Sequence, residues 1–225
     1  MKSPFLDILV NPDSFFAVAV KEKESLRKAL FIMLAGGIAG AAYGYIIGGP
    51  TSRMLASVTP GIEALILIFS IVSGFISIFI FWLIWAGILY LISGLFKGKG
   101  SFSRVLEFTA YGYIPQIFGS IIALVIAVMY IPQVSIPSLS SASIQNPQAI
   151  QEATRALMHD PSMITMMQIV SVVTILFLLW SAHIWIFGMR HARQVSFRDA
   201  ALSVGIPVVA YAGYMLYTMY SLSVM

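Results

Sequence analysis

The chain reads as an all-α polytopic integral membrane protein. Five transmembrane helices are expected, with an N-terminal interfacial helix ahead of them and a short external helix between the third and fourth. Three observations carry this reading. Mean hydropathy is +0.91, and only 10% of the 225 residues are charged, too few to clothe a water-soluble globule of this size. Apolar runs recur at about 29–49, 64–96, 104–131, 161–189 and 200–222, each long enough for the ~20 residues that cross a hydrocarbon core. The basic residues alternate between the segments that join these runs. Lys2, Lys21, Lys23, Arg27 and Lys28 precede the first run, Lys97, Lys99 and Arg104 follow the second, and Arg190, Arg193 and Arg198 follow the fourth. The other connecting segments hold only Arg53 and Arg155. Basic loops stay on the cytoplasmic side, so a multi-pass cell-membrane protein with its N-terminus inside and C-terminus outside is expected.

Residues 1–28 form a cytoplasmic tail, and 29–225 the five-span membrane domain. In the tail, Asn11 suits an N-cap and Pro12 the first helical position. Phe15, Phe16, Val18 and Ala19 give that helix an apolar flank for the bilayer surface. No cleavable signal pattern precedes the first run, so that run is expected to persist as a span.

The first span carries Gly36, Gly40, Gly44 and Gly48, a strict spacing of four that lines one groove along a helix. Packing against a neighbouring helix of the same chain is the plain reading, and a homo-oligomer seam the sharper one. The second run stays uncharged over Ala64–Phe96, longer than a bilayer requires, so it must tilt, bend or project. Pro115 lies inside the third span beside Tyr111, Gly112 and Tyr113, where a kink is expected.

The polar excursion at 132–162 falls outside the membrane by the charge rule. Asn146-Pro147 and Asp160-Pro161 both read as N-cap plus first-turn proline, opening a short helix from about Pro147 to Met158 and the fourth span. Pro132 to Ser143, rich in Ser and Pro, is expected to lack regular structure. Ser196 and Asp199 fit a capping box at the fifth span. At an offset of 95 residues, Trp85 echoes Trp180 and Ser101-Phe102 echoes Ser196-Phe197, a faint sign of two related hairpins.

Chemistry-bearing constellations are few. The chain has no cysteine, which removes disulfides, thiolate metal sites and thiol nucleophiles. No HExxH helix, P-loop or GxGxxG turn is present, and no serine in the spans has a convincing base. No metal, cofactor or catalytic residue is therefore assigned, and the chain is not expected to be an enzyme. Positive charge sits in short juxtamembrane clusters, which points to lipid and topology rather than to nucleic acid. The candidate polar intramembrane site is Glu107, Tyr111 and His183. Antiparallel packing of the third and fourth spans would bring a carboxylate, a phenol and an imidazole to similar depth as a proton relay or small-cation site. Interfacial placement of Glu107 and simple packing of His183 are the alternatives. Arg190, Arg193 and Arg198 are expected to touch lipid phosphates.

Three stretches carry a family resemblance: DILVNPDSFF at 7–16, SRVLEFTAYGYIPQIFGSI at 103–121 and HIWIFGMRHARQVSFRDAALSVGIP at 183–207. With them the chain resembles the Ypt-interacting-protein (Yip) domain family, in its prokaryotic branch. The resemblance implies a tail helix near an Asn-Pro, five spans, and a membrane organiser or scaffold that works through helix, lipid and partner contacts. Eukaryotic relatives bind prenylated Rab-type GTPases. This chain lacks their acidic Asp-Leu-x-Gly-Pro tail element, and Tyr111-Gly112-Tyr113 only echoes their Gly-Tyr-Gly, so GTPase binding is not expected here. The partners expected are the bilayer, other membrane proteins or further copies of the chain. The competing function is a small transporter or channel built on Glu107, Tyr111 and His183.

Overall fold

The computed structural model describes residues 4–140 and 146–224, with side chains over 6–140 and 146–221. Two short helices open it, α1 (Pro4–Val10) and α2 (Pro12–Ala19). Five long ones follow: α3 (Leu26–Ala56), α4 (Ile62–Leu95), α5 (Phe102–Tyr130), α7 (Pro161–Arg193) and α8 (Phe197–Val224). A 12-residue helix, α6 (Pro147–Met158), precedes α7. All five long helices are long and apolar enough to cross a membrane. Lys2 and the stretch Ser141–Ser143 lie outside the described residues; of the expected irregular segment, Ile131–Gln133 forms a single tight helical turn.

Side-chain caps set most helix starts. Ser25 accepts from Arg27 N–H, Ser101 from Arg104 N–H (3.1 Å), and Asn146 from Gln148 N–H (3.0 Å). Asp160 Oδ1 accepts from Ser162 N–H (2.8 Å) and Met163 N–H (3.3 Å). Ser196 accepts from Asp199 N–H (3.1 Å), while the Asp199 carboxylate accepts the Ser196 hydroxyl (2.7 Å) rather than closing the return half of a capping box. Asn11 behaves differently from its expected role. Its side chain caps nothing, because α1 runs directly into it: Asn11 N–H already donates to Asp7 O (2.9 Å). The residue is a joint between two short helices.

α3 continues beyond Gly49, through Pro50 and Arg53, to Ala56. Burial explains the extension, since Met54 packs into a cluster with Ala127, Ile131, Leu157, Met163 and Met166. Ala153 and Leu157 of α6 join the same cluster, so α6 caps that end of the bundle. Gly61, at φ +87°, takes the left-handed conformation that reverses the chain into α4. At 34 residues, α4 is ~50 Å long, well beyond a ~30 Å hydrocarbon core.

The glycine groove of α3 is filled by α4. A Cβ at Gly40 would strike the Gly74 carbonyl, and one at Gly74 would strike the Gly40 carbonyl. A Cβ at Gly44 would meet the Ser70 carbonyl, and one at Gly36 would lie 3.2 Å from Ile78 Cγ1. Ser70, Gly74 and Ile78 thus run along the groove at one-turn intervals, and the absence of side chains lets two backbones touch.

α5 is the axial helix. From Arg104 to Pro115 every residue is buried, enclosed by α3, α4 and α7 and by the two phenylalanines of α2. Two tryptophans fasten its flanks: Trp82 of α4 donates to Leu106 O (2.9 Å) and Trp185 of α7 to Thr109 O (2.8 Å). The three basic segments meet at one end of the bundle, where Lys99 N–H donates to Arg193 O (2.7 Å) and Arg190 reaches Asp13 of α2. The sequence echo is only partly structural. Ser101 and Ser196 are equivalent caps, but Trp85 is buried against Trp185 whereas Trp180 is exposed and donates to Leu9 O (3.3 Å).

Candidate functional site

At the basic end, the tail is stitched across the mouths of α5 and α7. Phe16 is fully buried, edge-on or tilted against Phe108 and Tyr111 at 4.7 and 6.1 Å, and Phe15 meets the Tyr111 ring at 5.2 Å. Burying a phenylalanine out of water contributes about 1.5–3 kcal/mol, which helps hold α2 on the bundle. The apolar flank expected to lie on the bilayer is therefore divided: Phe16 faces the bundle, and Val18 remains 63% exposed.

Polar contacts then fix the tail in place. Arg104 Nη1 donates to Glu107 Oε2 at 2.9 Å, with both side chains 8% exposed. The same guanidinium donates to the carbonyls of Ala19 (3.4 Å) and Glu22, and its Nε lies 4.0 Å from Glu24. Glu107 also accepts from Ser25 N–H (3.4 Å), and Ser101 Oγ donates to Glu24 (2.6 Å). A buried ion pair thus holds the linker from α2 to α3 over the start of α5. Along α7, Arg190 Nη1 donates to both carboxylate oxygens of Asp13 at 3.1 Å, and His191 Nε2 lies 2.7 Å from Asp13 Oδ1.

Glu107 and Tyr111 share one face of α5, a turn apart, and both are buried. His183 is not brought to them. It is exposed on α7, with its ring edge-on to Phe187 at 5.2 Å. Of the arginines expected at lipid phosphates, Arg198 is exposed and Arg190 is half-engaged by Asp13. Arg193 is buried. Its Nε donates to Ser93 Oγ (3.0 Å), Nη2 to Gly98 O (2.7 Å) and Nη1 to Gly100 O, and the guanidinium lies 4.2 Å over the Tyr90 ring. It clamps the α4–α5 turn rather than lipid.

The Tyr111-Gly112-Tyr113 element divides its labour. Tyr111 faces the tail and Tyr113 faces away from it, into the bundle. Gly112 makes room for Trp185, whose indole nitrogen occupies the place of the missing Cβ. Among the described residues no cluster of three or more His, Asp or Glu side chains could hold a metal ion.

The model of the Yip1 domain matches residues 6–219, almost the whole chain. The chain belongs to the Yip1-domain family. This Yip1-domain protein is also similar to an uncharacterised protein of Methanocaldococcus jannaschii, with 36% identity over 122 residues, 54% of this chain and 86% of the relative. The archaeal relative agrees with the prokaryotic branch expected from sequence. No solved structure matches the chain.

Two of the side chains that hold the tail escaped the reading of the Yip1-domain sequence. Arg104 stands three residues before Glu107, a spacing that places both on one helix face, so the pair was available to inspection. Asp13 had no such signal, since its partners lie 177 and 178 residues away.

Proposed function

We infer that this Yip1-domain protein is a non-enzymatic membrane organiser, acting through helix, lipid and partner contacts at the end where its basic segments meet. That end is the cytoplasmic one in this reading, with the C-terminus outside the cell membrane, because basic connecting segments are retained on the cytoplasmic side. The observation that carries the reading is the docked tail. Glu107 serves as a brace for it through Arg104, and Asp13 bridges it to Arg190 and His191. The result is a pre-formed platform rather than a flexible arm, with Leu6, Val10 and Val18 exposed on it at 55, 74 and 63%. Large exposed apolar side chains on a rigid element suit lipid or protein contact. GTPases are not proposed as partners.

Two measurements on the full chain test the reading together. Amine crosslinking through Lys21 and Lys23 in native membranes should give an adduct of defined mass that Val10→Asp and Val18→Asp abolish. Purified protein in proteoliposomes should leave the vesicles tight to ions and small solutes. Flux above that of empty vesicles, or crosslinking that never goes beyond the monomer, would overturn it.

A further inference from the structure

About half-way along the long helices, α3, α4, α5, α7 and α8 leave between them a cleft of about 270 Å³. Aromatic rings build its walls: Trp85 stacks on Trp185 at 5.1 Å, Tyr113 meets Trp185 at 5.6 Å, and Tyr211 meets Trp85 at 6.0 Å. Among the described residues, no charged side chain lines it. The hydroxyls of Ser77, Ser120 and Thr174 at its edge all donate to carbonyls of their own helices. The Trp185 indole is likewise engaged, by Thr109 O.

Tyr113 differs from these. It is 4% exposed, it lines the cleft, and its Oη has no hydrogen-bond partner in the protein. A buried phenol without a partner is costly and calls for an acceptor. The Gln116 amide lines the same cleft. The exposed lining residues are Phe81 of α4 and Tyr211 of α8, 49 and 37% exposed, so the mouth opens toward lipid.

Each of these observations narrows the ligand. The site lies near the middle of five spans, where a charged headgroup is strongly disfavoured, and its lining offers no counter-charge. The aromatic rings that line it suit a flat ring, and the free phenol suits a carbonyl oxygen. A 150 Å³ apolar cavity takes benzene, so by proportion ~270 Å³ takes about eleven heavy atoms. We propose that this cleft binds the flat, carbonyl-bearing ring of a neutral lipid-soluble molecule, of which a quinone is the type, with Tyr113 donating to the carbonyl. The proposal stands apart from the organiser reading and involves no electron transfer.

The test uses the purified full chain in phosphatidylcholine nanodiscs. The probes are 1,4-naphthoquinone, of about the right size, and naphthalene as the same ring system without carbonyls. With no cysteine in the chain, thiol addition does not complicate the quinone. Ligand-induced thermal stabilisation, titrated to saturation, is the readout. Naphthoquinone should bind wild type saturably and Tyr113→Phe about five-fold more weakly, as loss of one hydrogen bond requires. Naphthalene should bind the two equally, and Ser120→Leu should remove binding of both. Tyr113→Phe keeps the ring and deletes only an unpartnered hydroxyl, so it should melt no lower than wild type without ligand. Equal naphthoquinone affinity for wild type and Tyr113→Phe would overturn the proposal. So would non-saturating partition that is the same in all variants, the mark of a cleft filled by water. Saturable binding of dioleoylglycerol with none of naphthoquinone would also overturn it, in favour of an acyl ester.

Discussion

Replacing Arg104 with methionine removes one half of a buried ion pair while keeping a long, apolar stem in its place. Glu107 would remain, 8% exposed, with the Ser25 N–H at 3.4 Å as its remaining hydrogen bond. The carbonyls of Ala19 and Glu22 would lose the guanidinium as a donor as well. Breaking a buried pair in this way costs about 3–5 kcal/mol. The pair lies within α5, but the tail and linker cover it and undocking would let water reach Glu107, while the lost carbonyl and Glu24 contacts join the linker to α5 directly, so the cost should fall on tail docking rather than on the whole bundle. An energy of that size shifts the undocking equilibrium by about 150- to 5,000-fold. Limited trypsin digestion in nanodiscs reads it directly, because Lys21 and Lys23 lie in the linker that Arg104 holds. Cleavage there should accelerate by two orders of magnitude or more, while the melting of the spans changes little. The double variant Arg104→Met with Glu107→Leu should recover much of the loss, since removing both members of a buried pair is often close to neutral. Unchanged cleavage in Arg104→Met would refute the argument. A double variant as labile as the sum of the two singles would refute it too, by showing that the two residues act independently.

Three other changes probe separate parts of the molecule. Gly40→Ala forces a methyl against the Gly74 carbonyl and should lower thermal stability by about 1–3 kcal/mol; Gly87→Ala, with open space at its Cβ, should be neutral or gain up to ~1 kcal/mol, and equal effects would contradict the backbone contact. Arg193→Lys loses the fork that serves Gly98 and Gly100 and the stacking on Tyr90, so it should cost about 1–3 kcal/mol and speed amide exchange at 97–100; unchanged exchange would count against the clamp. At Asp160, burial works to raise the carboxyl pKa, but backbone N–H groups of Ser135, Met163 and Ser162 outweigh it and hold the value below the ordinary one. A lowered folded value gives stability that is complete above the unfolded pKa of ~3.9 and lost as pH falls through the folded value; the melting temperature should drop in that acid window in wild type and stay flatter in Asp160→Asn, and superimposable profiles would remove Asp160 from the account.

Local chemistry made the caps legible. An Asn-Pro or Asp-Pro pair satisfies first-turn amides within three residues, so residues 146 and 160 announce their helices without help from the rest of the fold. Asn11 shows where that rule stops, because a preceding helix had already claimed its backbone. The glycine period was legible too, since spacing alone defines a groove, but its occupant was not: Gly74 contributes the other half of the contact from a different span. Depth in a span could be counted for His183, whereas the face it occupies could not. Ser181, Ala182, Ile184 and Trp185 around it are buried and His183 is exposed, a distinction of ~100° of rotation per residue that depends on where α5 and α8 sit. The cleft around Tyr113 needs five helices to exist and leaves no trace in any one of them.

The Arg193 clamp bears on how the chain is made. Its donors close a turn formed by Gly98 and Gly100, residues synthesised almost a hundred positions earlier, and Asp13 waits longer still for Arg190 and His191. During vectorial synthesis the first hairpin can pair through its own glycines as soon as α4 has entered the bilayer. The turn after it must stay unlatched until the penultimate helix emerges from the ribosome, and until then the tail is held by α5 alone, through Arg104 and the rings of Phe108 and Tyr111. A nascent chain arrested before Arg190 should therefore leave the amides of residues 97–100 open to exchange, and one released after Arg193 should protect them. The end of the molecule that is made first is the last to be locked.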